Sequence, residues 1–157
     1  MIIKNANILY KNKFSIQDME INDKKGTIIK IGKINKPGID FNEEKVIPGL
    51  IDPHTHGGNG HDFNNAKTIE EMQSIIDFYI KNGVTSVFPT IMTDDDKNIK
   101  EKLHMVSELK KTKPCIIGIH LEGPFLSEEY KGAQPKEYLQ PLLKTKFDEY
   151  QKAANGL

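Results

Sequence analysis

Pro48-Gly49-Leu50-Ile51-Asp52-Pro53-His54-Thr55-His56 is an apolar run that ends on two imidazoles separated by one residue. Side chains on an extended strand alternate between faces, so His54 and His56 point the same way and can close on one ion. A second run, Ile119-His120-Leu121-Glu122-Gly123-Pro124-Phe125, ends in a carboxylate that can reach the same point. Two imidazole nitrogens and a carboxylate oxygen, with positions left open for water, describe a hydrolytic site for Zn²⁺ or Fe²⁺, with one or two ions per site. A His-x-His pair alone discriminates poorly. Its setting adds weight here: an apolar strand leads in, and Gly57-Gly58-Asn59-Gly60 leads out.

Downstream of the histidines the texture is strand–helix alternation. Thr68-Ile69-Glu70-Glu71 reads as a capping box with Thr68 as N-cap. The helix it opens carries Ile69, Met72, Ile75, Ile76, Tyr79 and Ile80 at helical spacing, and Gly83 suits its end. Val84 to Thr90 reads as a strand. Asp94-Asp95-Asp96 reads as the start of a second helix with an Ile99, Leu103, Val106, Leu109 stripe, rather than as a second metal cluster. Cys115 to Leu121 reads as a third strand, and a weaker helical stretch runs from Thr145 to Ala154. Continuously apolar strands alternating with amphipathic helices imply an α/β fold with parallel pairing. Ligand residue types at the C-terminal ends of such strands suit an α/β barrel or an open doubly wound sheet. The glycine run lacks GxGxxG spacing, so it does not read as a dinucleotide loop.

Upstream, Ile2–Leu9, Ser15–Asn22 and Thr27–Lys33 read as short strands, the last two joined by Asp23-Lys24-Lys25-Gly26. Pro37-Gly38 and Asn42-Glu43-Glu44-Lys45 break this pattern, which places a boundary at residue 45 and two domains at 1–45 and 46–157.

The 157 residues are 37% hydrophobic with formal net charge zero, which gives no broad electrostatic case for nucleic acid or an anionic membrane. No apolar run is long enough to span a bilayer, no signal peptide is visible, and the lone Cys115 suits a reducing compartment, so a cytoplasmic protein is expected. Every basic residue is lysine. Without arginine, no bidentate guanidinium clamp for a phosphate is available.

The stretches Val46–Gly58, Gly83-Val84-Thr85-Ser86-Val87-Phe88-Pro89-Thr90, His120–Leu126 and Lys131-Gly132-Ala133-Gln134-Pro135 resemble the amidohydrolase superfamily, and within it the N-acetylglucosamine-6-phosphate deacetylases. The resemblance implies a (β/α)8 barrel, here its first three strand–helix units, preceded by N-terminal strands of a small β-sandwich domain. It implies metal-assisted hydrolysis of the acetamide of N-acetylglucosamine 6-phosphate to glucosamine 6-phosphate and acetate. Glu122 then matches the family's metal-ligand glutamate. His54 and His56 match a ligand pair present in some members, and Ala133 and Gln134 fall where members contact the sugar. Asp52 and His120 share the histidines' strand faces and suit a supporting role behind the ligands. The catalytic aspartate, later histidines and phosphate-binding arginine implied by the resemblance belong beyond Leu157, because a barrel needs about 250 residues. A truncated or split enzyme is therefore expected, either with a missing C-terminal half as partner or as the homo-oligomer usual in the family. Marginal stability is expected for the piece alone. A dihydroorotase-like or adenine-deaminase-like hydrolase and a non-catalytic sugar-phosphate- or metal-binding remnant are the alternatives.

Overall fold

The computed structural model describes residues 1–157, which divide into two compact units, Met1–Pro48 and Gly49–Leu157. In the first, β1 (Ile2–Tyr10) pairs antiparallel with β2 (Lys13–Asn22), which pairs antiparallel with β3 (Thr27–Gly32). Two short strands, β4 (Ile39–Asp40) and β5 (Lys45–Val46), add parallel to β1. Ile3, Ala6, Ile8 and Met19 form the buried cluster of this unit. Asp18 ties it together: its carboxylate accepts from Lys4 Nζ at 2.6 Å and from the backbone N–H groups of Ile34 at 2.9 Å and Asn5 at 3.1 Å. The Lys4 hydrogen bond first, then the two backbone donors, hold the Asp18 pKa down at about 2.

The unit boundary falls three residues beyond the expected position. Lys45 and Val46 are bonded alongside Asn7 and Ile8, so Val46 belongs to the first sheet and does not open the strand of the histidines. That strand begins at Leu50, after Pro48 has removed a ladder donor.

The second unit is built on β6 (Leu50–Thr55), followed by the small hairpin β7 (Gly57–Gly58) and β8 (His61–Asp62) and then α1 (Ile69–Lys81). Next come β9 (Val84–Met92), α2 (Asp96–Lys110), β10 (His120–Glu122), a 3₁₀ turn at Lys136–Tyr138 and α3 (Lys144–Ala153). The sheet order is β10-β9-β6, all parallel. Each pair of successive strands is connected through a helix, as parallel pairing requires. Helix starts follow local chemistry. Thr68 Oγ1 accepts from the Glu71 N–H at 3.3 Å, and the Glu71 carboxylate reaches back to the Lys67 N–H at 2.5 Å. Asp95 caps α2 by accepting from the Asn98 N–H at 2.9 Å.

The core packs Met72, Ile75 and Ile76 of α1 and Ile99, Leu103, Val106 and Leu109 of α2 against Val87 and Ile91 of β9, with Tyr150 of α3. Ile69 and Ile80, included in the apolar stripe of α1 from spacing, lie at its ends and are exposed. The third strand is shorter than expected. Between Cys115 and Ile119 only Ile116 makes a bridge, to Val87, and regular pairing starts at His120. Leu50, Ile51 and Ile117 are apolar yet exposed, Ile51 at 66%. No helix is long and apolar enough to cross a membrane.

Candidate metal centre

The histidine pair owes its direction to the residue between it. Thr55 is buried while His54 and His56 are exposed, the alternation of a strand. Its N–H donates to Thr90 Oγ1 at 3.0 Å, and its hydroxyl meets Tyr79 Oη, which donates to the Gly57 carbonyl at 2.8 Å. Strand β6 is thereby pinned to β9 and α1 from the side opposite the imidazoles.

The ladder between β6 and β9 is irregular just before the histidines: Asp52 pairs with Val87, yet Thr55 pairs with Pro89, so β6 carries an extra residue there. Pro53 in that bulge has no N–H to lose. The His54 N–H, freed from the ladder, donates to Asp52 Oδ1 at 3.1 Å. Asp52 therefore supports the backbone of the bulge.

Glu122 ends β10 in the same direction. Its Oε2 lies 2.9 Å from His54 Nε2 and 3.3 Å from His56 Nε2, and the two ring nitrogens are 3.1 Å apart. Its other oxygen, Oε1, accepts from Gln134 Nε2 at 2.9 Å. His120 stacks edge-on against His54 with ring centroids 4.3 Å apart. It stands outside the group of three whose ligand atoms lie within 4.8 Å of one another. Ala133 is exposed, whereas Gln134 is buried at 4% exposure. His61 and His104 are exposed on β8 and α2. All three residues of the acidic run are spent structurally. Asp94 accepts from Asn98 Nδ2 at 2.6 Å, Asp95 caps α2, and Asp96 pairs with Lys100 and Lys146.

Sequence reading missed Thr90, Thr93 and Tyr79 as supports of the site. Tyr79 was legible only as part of the apolar stripe of α1. Thr90 and Thr93 carry no local signal, since their roles come from β9 lying between the other two strands.

The donor set fits a divalent ion. Three atoms separated by 2.9, 3.1 and 3.3 Å admit a point about 2.0–2.1 Å from each, the distance of zinc to imidazole nitrogen and carboxylate oxygen. Imidazole and carboxylate donors suit Zn²⁺ and Fe²⁺ alike.

A His-x-His at the end of one strand, facing a glutamate at the end of a later parallel strand, suits a metal-dependent hydrolase type of site. The amidohydrolase family profile matches residues 45–156, and the chain belongs to that family. Among curated relatives it is 38% identical over 120 residues to N-acetylglucosamine-6-phosphate deacetylase of Bacillus subtilis, covering 71% of this chain and 30% of that protein. It is 29% identical over 142 residues to N-acetylgalactosamine-6-phosphate deacetylase of a Shewanella species, covering 90% of this chain and 36% of that one. The solved N-acetylglucosamine-6-phosphate deacetylase of Thermotoga maritima superposes with a TM-score of 0.75 at 28% identity, over 95% of this chain and 39% of that one. The chain thus spans about a third of the length of these relatives.

Proposed function

We propose that the chain contributes the metal-binding part of an enzyme that hydrolyses the acetamide of N-acetylglucosamine 6-phosphate to glucosamine 6-phosphate and acetate. The observation that carries this reading is the convergence of His54, His56 and Glu122 from two separate strand ends, in a chain related to deacetylases of amino-sugar phosphates. When bound there, Zn²⁺ or Fe²⁺ would polarise the amide carbonyl and acidify a water. His54 and His56 hold their Nε2 atoms outward for that ion, and Glu122 adds the charge that keeps a dication in place. Ala133, exposed in the loop after β10, faces the sugar.

Further parts of the reading follow. The second unit supplies the first three strand–helix units of a (β/α)8 barrel, and the first unit supplies strands of a small β sandwich. The exposed Leu50 and Ile51 suit a strand that expects more neighbours. The carboxylate that moves the proton to the departing amine, and the cation that grips the phosphate, come from polypeptide outside these three units.

The test is acetate release from N-acetylglucosamine 6-phosphate with Zn²⁺ or Fe²⁺ added, by the chain alone and with the downstream two thirds of a relative supplied in trans. The N-acetylgalactosamine epimer and dihydroorotate serve as competing substrates. Release in trans that is lost on Glu122→Gln is expected. Turnover of dihydroorotate in preference to both sugars overturns the substrate assignment. Absence of Zn²⁺ uptake by the wild-type chain overturns the metal reading.

A further inference from the structure

We propose that Gln134 is a positioning residue for Glu122, and that it directs the carboxylate to offer the metal one oxygen, Oε2, and withhold the other. This rests on the metal reading above and extends it to a residue that sequence resemblance placed against the sugar. Gln134 is 4% exposed. Its Nε2 donates to Glu122 Oε1 at 2.9 Å, and its Oε1 accepts from the Thr93 N–H at 3.0 Å. The same Thr93 N–H also donates to the Glu122 carbonyl at 3.0 Å, so the backbone and the side chain of Glu122 are referred to one point just beyond the end of β9.

The chemistry of the two neighbours dictates the residue type. A backbone N–H only donates and a carboxylate only accepts, so the group between them must accept at one end and donate at the other. A carboxamide does this in one orientation only, and that orientation aims its N–H at Oε1. A glutamate would set acceptor against acceptor, and an alanine would remove the donor from Glu122 Oε1 and one of the two acceptors of the Thr93 N–H. The loop is shaped for it. The Gln134 N–H donates to the Lys131 carbonyl at 3.2 Å, and Lys131 Nζ donates to the Gln134 carbonyl at 2.8 Å, closing a tight turn behind the side chain. Both ends of the carboxamide are in use within the protein, and the exposed Ala133 is left as the sugar-facing residue.

Residues that orient metal ligands typically change metal affinity by about 10–100-fold when removed. The experiment is a competitive Zn²⁺ titration, with a chromogenic chelator, of the wild-type chain, Gln134→Met and Gln73→Met, the last at an exposed position of α1. Gln134→Met keeps the length of the side chain and loses both hydrogen bonds. An about 10–100-fold weaker Zn²⁺ affinity in Gln134→Met, with Gln73→Met unchanged, is expected. Equal affinity in wild type and Gln134→Met overturns the proposal while leaving the metal site intact. Lack of Zn²⁺ uptake by wild type overturns both.

If Gln134→Met fails to fold, the side-chain amide resonances of Gln134 in the wild-type chain decide. Slow hydrogen exchange and a shift on adding Zn²⁺ are expected. Exchange as fast as that of the exposed Gln73, with no shift, overturns the proposal.

Discussion

Gly123→Ala is the substitution whose cost is written most directly in the structure. Gly123 follows Glu122 and turns the chain out of β10 with φ +99°. A Cβ there would stand 1.9 Å from Thr93 Oγ1, 3.2 Å from Thr93 Cβ and 3.1 Å from Gln134 Oε1. Two costs add: backbone strain of about 1–3 kcal/mol for a side chain in this region, and overpacking of about 1–3 kcal/mol against a β-branched neighbour held just beyond β9 by its N–H bond to the Glu122 carbonyl. The sum is at least about 2 kcal/mol. At about 4 °C per kcal/mol for a unit of this size, Tm falls by about 8 °C or more. Gly132→Ala separates the two costs. Gly132 sits at φ +61° in the loop after β10 with open space around its Cβ position, so only a strain of about 1 kcal/mol applies. The assay is thermal unfolding followed by circular dichroism at one pH for wild type and both variants. Gly123→Ala melting within about 2 °C of wild type, or no lower than Gly132→Ala, refutes the reasoning.

Thr93 Oγ1 is buried without a hydrogen-bond partner. Thr93→Val keeps the shape and the backbone donor and is expected to stabilise by about 1 kcal/mol in urea unfolding. Tyr79→Phe strips the hydroxyl that ties Thr55 to Gly57 and should cost about 1–2 kcal/mol in the same assay. Asp18 has its folded pKa lowered to about 2 by Lys4 and the Ile34 and Asn5 amides. Its contribution is present above the ordinary carboxylate pKa of about 4 and is lost as pH falls toward 2. Asp18→Asn should remove that part of the acid slope in pH-dependent melts. Ile51→Lys should reduce concentration-dependent association in light scattering without lowering Tm, since Ile51 is 66% exposed.

What was legible in the sequence followed from short-range rules. The period of two placed His54 and His56 together, and capping chemistry located the starts of α1 and α2. The stripe Ile99, Leu103, Val106 and Leu109 was buried as its spacing required. What was illegible depends on partners far along the chain. Val46 looks like the first residue of the strand of the histidines, because an apolar run does not reveal which sheet each residue joins; pairing with Ile8 decides it. Cys115–Ile119 has strand composition but little regular pairing, since its course is set by β9 and α2. The bulge that brings the Asp52 carboxylate to the His54 N–H is announced by no local signal. Gln134 resembled a ligand contact by position, whereas its burial and its partners Glu122 and Thr93 are visible only in three dimensions.

The two irregularities in the β6–β9 ladder are of opposite sense. Between Leu50 and Ile51 the extra residue is on β9, and between Asp52 and Thr55 it is on β6, so both strands advance five residues from the first pair to the last. The offsets cancel, and Thr55 arrives in register with Pro89. It follows that the number of residues between Gly49 and His54 constrains variation alongside the identities of the two histidines. Substitutions at Leu50 and Ile51 leave that count unchanged. Losing a single position would either smooth the bulge or swing both imidazoles inward and Thr55 outward. Deletions in this stretch should therefore be far rarer among functional variants than substitutions, a signature that deep mutational libraries can count.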